Sequence, residues 1–231
     1  METFLEDVVR LFSTQSYIDS FLSGFLMPLE ISFAAIIIGF ILGLIIALIR
    51  VAAPSPWLYI PKAICRIYTT IVRGTPMALQ LFIMVFVIFA IRDFPQLLTA
   101  IIAFGLNSAA YSSEIFRSGI LSVDKGQSEA GLSLGLPRRT VFWKIVFPQA
   151  LKNSISPLGS EIVSVIKETA IVSMVGMYDL NMAAKDIGSG HNLASFIVPM
   201  FVAALFYLAI VYVIILIVNI IEKRLRRSDI R

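Results

Sequence analysis

Residues 34–49 read AAIIIGFILGLIIALI, an uncharged run interrupted only by glycines. A helix needs about 20 apolar residues to cross the roughly 30 Å hydrocarbon core of a bilayer. The apolar stretch around this run, Phe21–Ile49, is long enough. Four further segments of similar character follow: Pro76–Ile91, Gln96–Phe116, Asn153–Met177 and Asn192–Ile221. The expected fold class is therefore all-α, a polytopic membrane protein with five transmembrane helices in a single domain over residues 1–231.

Composition agrees. The 231 residues are 58% hydrophobic and 15% charged, and mean hydropathy is +0.88. A soluble domain carries about 25% charged residues. The single cysteine, Cys65, excludes an internal disulfide, and the single histidine, His191, excludes a His-cluster zinc site. Outside the spans lie two mixed stretches. METFLEDVVRLFSTQSYIDS, residues 1–20, lacks the basic start and apolar centre of a signal peptide. It repeats Phe4, Leu5, Val8, Leu11 and Phe12 at helical spacing, which suits either a surface helix or an extension of the first span. Trp57–Arg73 begins after AAPSP and reads as an interfacial helix leading into the second span.

Cations fix the orientation. With the C-terminus cytoplasmic, the inner side collects 15 of the 19 Lys and Arg, the outer side only Arg10, Arg92 and Lys185, and Lys167 stays within a span. Cytoplasmic loops carry the Lys/Arg excess, so the N-terminus is expected outside and the C-terminus inside. The net charge of +4 then needs no nucleic-acid partner.

The longest loop, residues 118–152, falls on the cytoplasmic side. Ser128 can start a short helix there, Gly135 can end it and Pro137 prevents its continuation. Such a helix is short of apolar cover, which points to a partner protein. The run Glu129-Ala130-Gly131, with Gly135 four residues on, then Ile145 and Phe147-Pro148, resembles the EAA loop of ABC importer permeases, with Gly131 in place of the second Ala and Phe147 in place of Leu. Arg73-Gly74-Thr75-Pro76 with Gln80, the run from Tyr111 through Glu114 and Arg117 to Gly119-Ile120, and Lys167-Glu168-Thr169 are similar to the polar amino acid permeases of that class.

The resemblance implies the type I ABC importer permease fold in a bacterial cytoplasmic (inner) membrane. It also implies a coupling loop in which Glu129, Ala130, Gly131, Gly135, Leu136, Pro137, Ile145 and Pro148 meet an ABC ATPase subunit. The implied partners are ATPase subunits, a second permease subunit, expected as an identical copy, and an extracytoplasmic substrate-binding protein. The chain contains no GxxxxGK[ST] loop, so ATP and Mg²⁺ are expected on the partner and no cofactor, metal site or enzymatic centre on this chain. Gly39 and Gly43 form a GxxxG that lets helices approach closely, beside the simpler reading that glycine is common in membrane helices.

Ionisable groups within a span usually face a cavity or a partner, because burying one at the bilayer centre costs about 2.5–3.5 kcal/mol on insertion scales. Glu30, Glu114, Glu161, Lys167 and Glu168 are such groups. Asn153, Pro157, Glu161, Ser164 and Glu168 recur at helical steps and read as a stripe lining the pathway, and Asn107, Tyr111 and Glu114 as a second. Cargo contacts are accordingly expected from Glu161, Glu30, Tyr111, Glu114, Asn107, Ser164, Glu168 and Lys167. For Glu114 an ion pair with Arg117 at i,i+3 is the alternative, and for Lys167 neutralisation of Glu161 or Glu168. The acidic excess favours a cationic amino acid, arginine, histidine or lysine, with glutamine as runner-up. A secondary transporter working alone is the competing class.

Overall fold

The computed structural model describes residues 2–189 and 196–226. Among these residues every regular element is helical. In chain order they are α1 (Glu2–Ser13), α2 (Gln15–Val51), α3 (Tyr59–Gly74), α4 (Met77–Ile83), α5 (Gln96–Leu121), α6 (Lys125–Ser133), α7 (Arg138–Val141), α8 (Phe147–Glu168), α9 (Leu180–Ser189) and α10 (Ile197–Arg226). Two π-helical turns, Met84–Ile88 and Phe142–Val146, extend α4 and join α7 to α8, and a 3₁₀ segment, Thr169–Val175, follows α8.

The apolar runs behave as expected at the two ends of the chain. Helices α2 and α10 are each long and apolar enough to cross a membrane. The middle differs. Helices α3 and α4 pass only as a pair bent by 108° at Thr75–Pro76. Met77–Ile88 alone is only about 18 Å long at about 1.5 Å per residue, well short of the core. Helices α5 and α8 are long enough but too polar for the same test, so two helices qualify, or three with the bent pair. Pro199 lies in the first turn of α10, where the missing N–H is one that the helix leaves unpaired, and not at an interior kink.

The chain packs as two compact units. One contains residues 1–36, 77–104 and 163–213. Its core joins Ile31 and Ala35 of α2, Leu81 of α4, Ala100, Ala103 and Phe104 of α5 and Val172 of the 3₁₀ segment. A second cluster gathers Leu11, Phe21, Leu180, Ile187, Val198 and Val202. Helix α1 is thus separate from α2 and docks through Leu11 and Val8, leaving Leu5, Val9 and Phe12 exposed. Here Asp179 caps α9, its Oδ1 accepting the Met182 N–H at 2.8 Å. Burial pushes the Asp179 carboxyl above its ordinary range, against the lowering effect of the backbone N–H groups around it, that of Met182 first.

The other unit contains residues 37–76, 105–162 and 214–231. Its core is small: Ile120, Val141, Val146 and Ala150, with Leu48, Val51 and Phe142 packed against them. Close helix contact does the rest. A Cβ placed on Gly39 would stand 2.7 Å from Ser108 Cβ, and one on Gly43 2.7 Å from Ser112 Cβ and 2.9 Å from the Ser113 backbone nitrogen. The GxxxG of α2 therefore receives the serine-rich face of α5 within the same chain.

Candidate functional site

Helix α3 ends at Gly74 because Thr75 is extended ahead of Pro76, and this puts Arg73 on the last turn. Its guanidinium lies 5.3 Å from the centroid of the Tyr111 ring on α5, a cation–π contact. One turn on, Glu114 is held from two sides. Arg50, on the last turn of α2, donates to its Oε2 at 2.8 Å, and Arg117 donates to its Oε1 through both Nε, at 2.9 Å, and Nη2. Between these groups and α8 lies a pocket of about 350 Å³ lined by Arg73, Tyr111, Glu114, Ser118, Ser122 and Asn153, with Pro157 at its wall. Asn153 Nδ2 donates to Ser122 Oγ at 2.9 Å, and Ser122 Oγ donates to the Gly119 carbonyl at 2.8 Å, tying α8 to the end of α5.

Of the expected cargo residues, the structure brings together Tyr111 and Glu114, with Asn153 and Pro157 of the other stripe. Asn107 is buried in the same unit and does not line the pocket. Glu161 is only 8% exposed, whereas Asn153, Ser156, Pro157 and Ser160 form an open polar face. The eight residues from Asn153 to Glu161 overshoot two full turns by about 80°, so Glu161 has rotated off that face. Glu30 and Lys167 are exposed and Ser164 and Glu168 half-buried, and all four belong to the other unit. Glu114 takes the ion-pair alternative with Arg117, and gains Arg50 besides. Arg50, Arg73, Ser118 and Ser122 were not among the expected site residues. For Arg73 the signal was its place in the Arg-Gly-Thr-Pro run; for Arg50 there was none, since its partner lies 64 positions away.

The loop after α5 is built by local rules. Asp124 Oδ1 accepts the Gly126 N–H at 2.6 Å and caps α6, so the helix starts at Lys125 rather than at Ser128. Its end is a left-handed glycine: Gly135 has φ +78°, and Leu136 N–H reaches back to the Gly131 carbonyl at 3.2 Å. Pro137 does not merely stop α6 but starts α7 as its N-cap. Gly131 is buried where a Cβ would stand 2.9 Å from Val141 Cγ2 and 3.0 Å from Ile145 Cδ1, which explains glycine at that place. Glu129, Ala130 and Pro137 are exposed, as are Leu132, Leu134 and Leu136, with Leu134 81% exposed. Pro148 has no N–H to give the Lys144 carbonyl, and the turn before it opens to the π pattern, with Phe147 N–H on the Phe142 carbonyl. A second, mostly apolar pocket of about 380 Å³ lies behind α6, with Lys125 and Arg138 at its rim.

Long apolar helices, a pocket within the helical packing that holds charged and polar side chains, and an exposed helical loop describe a membrane permease. The chain belongs to the family of binding-protein-dependent transport system inner membrane components, whose model matches residues 39–227. Within it the chain is an amino acid ABC transporter permease. It is 34% identical to the arginine transport system permease protein ArtQ of Bacillus subtilis, over 90% of this chain and 93% of that one. It is 37% identical to a putative glutamine transport system permease protein of Rickettsia felis, over 87% and 91%. It is also 36% identical to the L-cystine transport system permease protein TcyB of Bacillus subtilis, over 92% and 89%. A crystal structure of an amino acid ABC transporter with histidines superposes with a TM-score of 0.82 at 33% identity, covering 93% of this chain and 98% of that one. The MetNI methionine transporter shares the fold, with a TM-score of 0.76 at 19% identity.

Proposed function

We propose that this chain is the transmembrane subunit of an ATP-driven importer for cationic amino acids, arginine, histidine or lysine. The observation that carries the cargo reading is the likeness, over nearly the whole chain, to a transporter solved with histidines. The arginine permease relative supports it. In this reading the chain crosses a bacterial inner membrane five times, N-terminus outside and C-terminus inside. It pairs with a second permease subunit, an identical copy, and receives cargo from an extracytoplasmic binding protein. ATP and Mg²⁺ act on the ATPase subunits. The loop of residues 118–152 docks there through Glu129, Ala130 and the exposed leucines of the α6 tip, and Gly131, Gly135, Leu136, Pro137, Ile145 and Pro148 give it its shape. Tyr111, Glu114, Asn107, Glu161, Ser164, Glu168, Glu30 and Lys167 shape the cargo pathway, Glu114 through its ion pairs.

A second reading, glutamine, is favoured by the Rickettsia relatives, at 36–38% identity. Uptake of labelled arginine into vesicles holding the chain with its ATPase and binding protein, competed by each other amino acid, separates the two. Competition by histidine and lysine but not by glutamine is expected. Glutamine as the strongest competitor overturns the cationic reading, and uptake by the chain without an ATPase overturns the powered importer.

A further inference from the structure

The pocket is not an acidic site. Arg73 and Glu114 are its charged lining residues, and Glu114 is ion-paired with Arg50 and Arg117, so these four side chains together carry a net charge of +2. Both oxygens of Glu114 are taken, Oε2 by Arg50 and Oε1 by Arg117. Among the described residues Arg73 is in no ion pair, and its one neighbour of note is the Tyr111 ring. The remaining polar lining, Ser118, Ser122 and Asn153, is neutral. A volume of about 350 Å³ lies within the roughly 300–1,000 Å³ usual for small-ligand pockets.

We infer that this pocket is the carboxylate end of the cargo site, and that Arg73 receives the α-carboxylate of the amino acid while Arg50 and Arg117 keep Glu114 from competing for it. The guanidinium fork matches a carboxylate bidentately, and stacking on Tyr111 pre-orients it. Asn153, whose amide nitrogen is engaged by Ser122, presents its carboxamide oxygen to the α-ammonium group. The specificity set here is for the amino acid backbone, shared by arginine and glutamine alike, so it rests on amino acid cargo and not on either side chain.

The test uses the purified transporter, this chain with its ATPase subunits in nanodiscs without binding protein, so that the pocket is reached directly. Tritiated arginine and tritiated glutamine are the probes. Each is competed by its own unlabelled form and by the amine left when its carboxyl group is removed. In the unmodified transporter the amine competes at roughly 10- to 100-fold higher concentration, the factor carried by a charge-assisted hydrogen-bonded pair. Arg73→Gln lowers amino acid affinity by that same factor and leaves the amine unchanged, erasing the discrimination, while Arg73→Lys retains part of it. Equal loss of amino acid and amine in Arg73→Gln, or discrimination that survives it, overturns the inference. Binding of neither probe to the unmodified transporter overturns the amino acid pocket altogether. Binding of glutamine alone overturns only the cationic cargo, and the glutamine pair then decides the role of Arg73.

Discussion

Replacing Gly43 by alanine tests whether the GxxxG of α2 holds this chain together or holds two chains together. The added Cβ would stand 2.7 Å from Ser112 Cβ, 2.9 Å from Ser113 N and 3.1 Å from the Ala109 carbonyl oxygen. Carbon pairs are most favourable at about 3.5–4.0 Å, so α2 and α5 must separate by several tenths of an ångström or more. Two of the three obstacles are backbone atoms, which cannot rotate aside as a side-chain end can. Overpacking of this kind costs about 1–3 kcal/mol, against which alanine recovers up to about 1 kcal/mol of helix propensity. A net loss of about 1–2 kcal/mol is expected, and Gly39→Ala, opposed by Ser108 Oγ at 2.6 Å and Cβ at 2.7 Å, should act in the same direction. Gly74→Ala is the control, since nothing lies within 4 Å of its Cβ. The assay is denaturant titration of the purified chain in mixed micelles, with cross-linking to follow subunit association in parallel. The unfolding midpoint should fall for Gly39→Ala and Gly43→Ala, hold for Gly74→Ala, and leave cross-linking unchanged. Loss of cross-linking with an unmoved midpoint would refute the intrachain contact.

Three further perturbations address the loop and the ion pairs. Gly135 has open space around it but φ +78°, so alanine and leucine should cost alike, about 1–2 kcal/mol of local strain, and asparagine less; ATP hydrolysed per amino acid imported should rise with the strain, and normal coupling in Gly135→Leu would refute the role of this turn. Asp124→Ala removes the α6 cap and should weaken that helix by about 0.5–2 kcal/mol, visible as faster amide exchange over Lys125–Ser133 with α8 unaffected. Glu114→Gln leaves Arg50 and Arg117 facing each other without an anion; with these side chains mostly buried, a stability loss of about 1–3 kcal/mol is expected, and a thermal midpoint equal to that of the unmodified chain would show the pairs to be incidental.

The ends of the fold were legible and the middle was not. Uninterrupted aliphatic runs in α2 and α10 leave no choice but a long apolar helix, and the spacing from Glu129 to Pro148 marked the loop. Facing was harder. Ser108 and Ser112, which no spacing singled out, are fully buried and face Gly39 and Gly43, their value being small size rather than polarity. Glu161 followed a spacing that drifts around the helix, and Arg50 meets Glu114 across a distance in sequence that no local pattern reports. The start of α6 was misplaced because Asp124 and Ser128 are both good N-cap types, and only the bond from Gly126 decides between them.

The π turn at Phe142–Val146 sets an angular phase. Arg138 to Glu168 is one rod in connectivity, but the extra residue that Pro148 imposes turns everything after it by about 100° relative to an unbroken α-helix. The heading of Asn153 and Pro157 toward the pocket is therefore written at the mouth of the loop, more than one turn before either residue. Deleting a single residue within the π turn would leave both helices formed and their lengths nearly unchanged, yet point a different side of α8 at Arg73 and Tyr111.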